Sequence, residues 1–160
     1  MHRNFAGWTP YVLSIVRIVF GMMLFLHGCQ LWGWIVPPGV RHHSTPPPGL
    51  SAGVEAVLHV FAGTFAIGGG TLLILGLFTP VVAFILSGEM AVAYFLSHGQ
   101  LGWCPLFNGG ESAVLNCFAF LLFSFTGAGE WSLDRCIFRS RRKAVQETGA
   151  DPIGASGAGL

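Results

Sequence analysis

The chain has 160 residues, of which 9% are charged and 52% hydrophobic, with a formal net charge of +1 and a mean hydropathy of +0.64. A water-soluble domain carries about 25% charged residues, so this chain lacks the polar surface to cover itself in water. The near-neutral balance gives no hint of a nucleic-acid partner, so none is expected, and the length sets a single domain, that of an integral membrane protein surrounded by lipid.

The first predicted element is an apolar span at about 11–36, interrupted only by Arg17, His27 and Gln30. Thr9-Pro10 precedes it as N-cap and first helical residue. No cleavable signal peptide is expected, because Met1–Pro10 holds one Arg and the apolar run that follows is too long for an h-region. The segment 37–49, PPGVRHHSTPPPG, is a proline loop that forbids helix.

A second span is expected at about 54–78. On it Glu55, His59, Ala62, Ala66 and Gly70 recur every three or four residues, and the small members of that stripe suit close helix packing in lipid. Thr79-Pro80 reads as a tight turn into a third span at about 80–98, with Glu89, Ala93 and Ser97 on one face. A glycine-rich loop follows, turning through Asn108-Gly109-Gly110 into a fourth span at about 111–128 that carries Asn116 and stops at Gly127-Ala128-Gly129. Glu111 sits in its first turn, where the helix dipole favours a carboxylate.

The expected fold is all-α, an integral membrane antiparallel four-helix bundle over residues 1–143, followed by a Gly/Ala-rich tail at 144–160. Arg135, Arg139, Arg141, Arg142 and Lys143 flank the last span and Arg3 precedes the first, whereas the other side offers Arg41 alone. The positive-inside bias then places both termini on the cytoplasmic side. The four cysteines, at 29, 104, 117 and 136, form no Cys-x-x-Cys pair, so neither a zinc nor a disulfide framework is expected.

Ionisable groups inside a bilayer are costly and mark candidate sites. His27, Gln30, Glu55, His59 and Glu89 all fall in the outer half, with His98 and Glu111 at its rim. His and Glu both titrate and hydrogen-bond carbonyl oxygens, so the pattern suits a quinone head group or a proton relay; the plainer alternative is polar glue between helices. Ligation of a haem by facing histidines is disfavoured, since lone histidines near span ends are commonly interfacial. Glu89, about midway down its span, either bonds to Asn116 or a histidine or belongs to a polar cavity. Arg17, alone in the inner half, would bind a lipid headgroup, snorkel to the interface or pair with Asp134. Trp103 and Phe107 sit in an uncharged loop and, with Asn108 and Glu111, are expected to cap the polar half and meet a partner at its rim.

Three segments resemble the DoxX family of small bacterial and archaeal membrane proteins. They are Arg17-x3-Gly21-x3-Phe25-x-His27-Gly28-x-Gln30; Gly69-Gly70-x5-Gly76-Leu77-Phe78-Thr79-Pro80; and Asn108-Gly109-Gly110-Glu111 with Trp131-Ser132-Leu133-Asp134. The resemblance implies four helices and a link to quinol oxidation, thiosulfate–quinone oxidoreduction or oxidative-stress complexes. Leu31 stands where family members commonly carry Lys, and Ala66 where they often carry Glu. Two polar positions are thus missing, and an accessory subunit of a membrane electron-transfer complex is the expected role. A quinone-linked oxidoreductase subunit and a small solute or proton carrier are the alternatives.

Overall fold

The structure is a computed structural model and describes residues 5–35 and 51–137. The proline loop, the basic run Arg139–Lys143 and the 144–160 tail lie outside the described residues, and with them much of the basis for the expected cytoplasmic termini. After a 3-10 turn at Phe5–Trp8, α1 spans Thr9–Leu31, α2 Ala52–Leu75, α3 Thr79–Ala93, α4 Pro105–Asn108 and α5 Glu111–Thr126. A π turn, Tyr94–His98, and a 3-10 turn, Gly99–Leu101, carry α3 onward.

Among the described residues, three stretches, Thr9–Leu31, Ala56–Leu75 and Thr79–Leu101, are long and apolar enough to cross a membrane. α5 is also apolar but has 16 residues. At about 1.5 Å per residue it reaches roughly 24 Å, against a hydrocarbon core of about 30 Å.

The helix limits follow from local backbone chemistry. α1 stops at Leu31 rather than 36, where Trp32 and the left-handed Gly33 turn the chain. Gly76, at φ 66°, closes α2 with its amide on the Leu73 carbonyl, the usual glycine solution at a helix C-terminus. The turn between α2 and α3 is therefore Gly76–Phe78, not Thr79-Pro80. Thr79 and Pro80 already belong to the first turn of α3, where a proline's missing N–H would have had no helical partner. Phe78 holds φ 51°, unusual for a residue with a Cβ. Its strain is held by Asp134, whose two carboxylate oxygens accept from the Phe78 amide at 2.8 Å and the Thr79 amide at 2.9 Å.

Sequence neighbours run antiparallel. Gly21 and Gly28 of α1 lie against Gly70 and Ala66 of α2, and Trp32 lies against Gly63, so one helix ascends as the other descends. The Glu130 amide bonds the Pro10 carbonyl at 3.1 Å, bringing the end of α5 to the start of α1. α1 packs most extensively on α2, and α3 on α5. Leu24, Leu73, Leu86, Met90, Phe120 and Phe123 form the centre of the core. Phe20 joins the two pairs through edge-on contacts with Phe120 and Phe123, at 6.2 and 6.0 Å between ring centres.

Of the small residues expected on one stripe of α2, Ala66 and Gly70 face α1, where Gly63, not one of that set, joins them against Trp32, while Ala62 lines a cleft. Ala66 is 1% exposed and its Cβ lies beside Gly28. Ala66→Leu is expected to lower stability by about 1–3 kcal/mol, as for methylenes forced into a packed core. An unchanged unfolding midpoint in detergent would show that this stripe looks at lipid.

Candidate functional site

The polar residues of the bundle fall into two clusters at opposite ends. At the end holding the start of α1, Arg17 is 0% exposed. Its Nη1 donates to the carbonyls of Leu73 and, at 3.2 Å, Ile74; its Nη2 donates to that of Trp131 at 2.5 Å. These partners include carbonyls of the last turn of α2, where the helix's own amides run out; that of Leu73 also accepts from the Gly76 amide at 3.1 Å. Arg17 thus neither snorkels to an interface nor reaches a headgroup, and among the described residues it forms no ion pair with Asp134, whose oxygens serve the α3 N-terminus. Ser14 completes the arrangement, accepting from the Trp131 amide at 3.0 Å and donating to the Pro10 carbonyl at 2.8 Å. This end is a structural lock.

The other end is open. A cleft of about 470 Å³ lies between α1, α2 and α3, within the usual range for small-molecule sites. Helical spacing builds its walls. His27 and Leu31 on α1 are one turn apart, as are Leu58 and Ala62 on α2 with His59 beside them. On α3 and its π turn Glu89, Ala93 and Ser97 succeed each other at four-residue intervals, and His98 closes the series. Of the residues expected at a site, the fold brings His27, His59 and Glu89 to one cavity, and it adds Ser97 and His98. Gln30 and Asn116 are half-buried and lie outside the cleft wall. The side chain of Glu55 lies outside the described residues.

Both carboxylate oxygens of Glu89 are buried and accept no hydrogen bond among the described residues, so the bonds expected from Asn116 or a histidine are not formed. A buried polar group without a partner is unfavourable by about 1–3 kcal/mol, and natural proteins retain such groups where something else uses them. The cleft opens sideways. Phe61 and Phe65 of α2 and Val92 of α3 line it and are also exposed on the flank of the bundle, the surface that lipid covers.

The loop expected to cap this half does not. None of the cleft-lining residues comes from 99–110; Trp103 is 82% and Phe107 86% exposed. The physical reason lies in Asn108 and Tyr94, which tie the loop to the end of α3. Asn108 is buried within the loop's own scaffold, and Glu111 is exposed in the first turn of α5.

The chain is thus a helical membrane protein whose mostly apolar cleft holds a buried carboxylate and three histidines. The DoxX family model matches residues 12–99. The chain is also 41% identical over 141 residues to an "Uncharacterized protein" of Haemophilus influenzae, covering 86% of this chain and 98% of that relative. The chain belongs to the DoxX family. No solved structure matches it.

Proposed function

We propose that the chain is an accessory subunit of a membrane electron-transfer complex, respiratory or photosynthetic, in the bacterial inner membrane, and that its cleft takes a quinone ring from the lipid. In this reading α5 is a fourth crossing, assisted by local thinning of the bilayer, and both termini are cytoplasmic. The buried, unpartnered carboxyl of Glu89 carries the proposal, since it requires a hydrogen-bonding group that the described protein does not supply.

The residues present fit such a ring. His59 offers a ring nitrogen to a carbonyl or hydroxyl oxygen, His27 and Glu89 face the same space, and the aromatic and aliphatic walls accept the ring's faces. A quinone, when bound, supplies two-electron, two-proton redox chemistry to the assembly. The chain's own contribution is to bind and orient the ring, to exclude water, and to hold a proton at Glu89 or at a histidine nitrogen. The lateral opening bounded by Phe61, Phe65 and Val92 suits a ligand dissolved in the membrane.

The test is binding of a short-chain quinone to the protein in nanodiscs, followed by fluorescence quenching, for wild type, Glu89→Gln and His59→Ala. A hydrogen bond to a charged or titratable partner is worth about 1.5–3 kcal/mol, so each variant is expected to weaken binding about tenfold or more. Full affinity in both variants would overturn the site. Purification in mild detergent is expected to retain larger subunits, and a clean monomer from native membranes would count against the accessory role.

A further inference from the structure

The uncharged segment Gly99–Gly110 carries Leu101, Trp103, Leu106 and Phe107 outward, all strongly exposed. Four large apolar side chains on one short loop are not a surface that water tolerates. We propose that this segment is a membrane-interface anchor, with these four side chains set into the boundary between lipid headgroups and acyl chains.

Position supports lipid as the occupant. The loop follows directly on the Thr79–Leu101 stretch, which is long and apolar enough to cross a membrane. Its Trp103 ring lies 6.2 Å from that of Phe95, an exposed residue on the flank of the same stretch. The apolar surface of the span thus runs without a break into the loop. Trp32 and Trp34, at the end of α1, are exposed at the same end of the bundle. At the opposite end Trp8, Tyr11 and Trp131 form a second aromatic group joined edge to face. The 23 residues of α1 separate the two groups, about 35 Å at 1.5 Å per residue and comparable with the hydrocarbon thickness plus part of each interface. Two aromatic groups at that spacing are the belts of a membrane protein, where amphipathic rings sit at headgroup level.

The loop's polar groups point the same way. A segment entering lipid must satisfy its backbone internally. Asn108 Nδ2 donates to the Gly102 carbonyl at 2.8 Å and to the Tyr94 hydroxyl at 3.2 Å, while its Oδ1 accepts from the Gly110 amide at 2.8 Å. Tyr94 in turn donates to the Trp103 carbonyl at 3.1 Å, and His98 Nδ1 lies 3.1 Å from the Asn108 carbonyl. Polar chemistry is gathered inward and apolar chemistry turned outward. A protein-docking loop of this size would also carry charged rim groups, and between Gly99 and Gly110 there are none.

Trp103 itself is the probe. A chain keeping Trp103 alone, with Phe at 8, 32, 34 and 131, is reconstituted in phosphatidylcholine vesicles whose lipids are brominated either near the headgroup end of the acyl chain or near its terminus. Shallow bromine is expected to quench most of the emission and deep bromine little, with weak quenching by aqueous acrylamide. The unmodified chain and its Trp103→Phe variant give the same information by difference should the multiple variant fail to fold. Free quenching by acrylamide with none from either lipid would overturn the anchor and leave the patch to a protein partner. This outcome is independent of quinone binding.

Discussion

Replacing Arg17 with Met is expected to lower the stability of the bundle by about 3 kcal/mol or more, enough to unfold a marginal membrane protein at modest temperature. The side chain is fully buried and its guanidinium serves three carbonyls, those of Leu73, Ile74 and Trp131. Methionine fills similar volume but donates nothing, so the Ile74 and Trp131 carbonyls lose their Arg17 bonds and that of Leu73 keeps only the Gly76 amide. One buried polar group left unpaired costs about 1–3 kcal/mol, and the end of α2 loses the positive charge that its dipole favours. Arg17→Lys is expected to fall between wild type and Met, because a single ammonium cannot reproduce the planar fork that spans α2 and the 131 segment. Thermal unfolding in detergent measures both. A midpoint equal to wild type for Arg17→Met would show that the carbonyls find other donors.

Gly70→Val is expected to be the most damaging change in the helix interface, at about 3 kcal/mol, the upper end for overpacking a close-fitted core. A Cβ on Gly70 would stand 2.8 Å from the Gly21 carbonyl oxygen and 2.8 Å from the Phe25 amide nitrogen. Both are backbone atoms, which cannot rotate aside, so α1 and α2 would have to separate. Gly21 faces the same contact from the other side, with Ile74 N and Gly70 O each 3.0 Å from its would-be Cβ. Gly68, two residues earlier, has nothing within 4 Å of that position. Gly68→Ala is therefore the matched control and is expected to be neutral or stabilising by up to about 1 kcal/mol, as alanine is the better helix former. Equal unfolding midpoints for Gly68→Ala and Gly70→Val would show that the glycine contact is not tight in the protein.

The long apolar helices were legible in the sequence. Within a bilayer each helix satisfies its own backbone, so the apolar runs carrying Arg17, Ala66, Glu89 and Asn116 read as helices, with limits marked by Pro10, Pro80 and Gly127. Gly33 and Gly76 end α1 and α2 earlier than the apolar runs suggest. Helical spacing put Ala66 and Gly70 on one stripe, and His27 and His59 at similar depth, with Glu89 deeper in its span. Tertiary structure decided how each helix is rotated. The fit of Gly21 to Gly70 and Gly28 to Ala66 sets how α1 and α2 face each other, and Ala83, Leu86 and Met90 turn α3 to the core; Glu89 then lines the cleft while Gln30 and Asn116 lie outside it. The partners of Arg17 lie 56, 57 and 114 residues away and are backbone carbonyls, which every residue possesses and no spacing announces. Asp134 likewise reaches back 55 and 56 residues to cap α3. The loop from Gly99 to Gly110 has a composition that suits a cap and an anchor equally, and only the inward bonds of Asn108 and Tyr94 turn Trp103 and Phe107 away from the cleft.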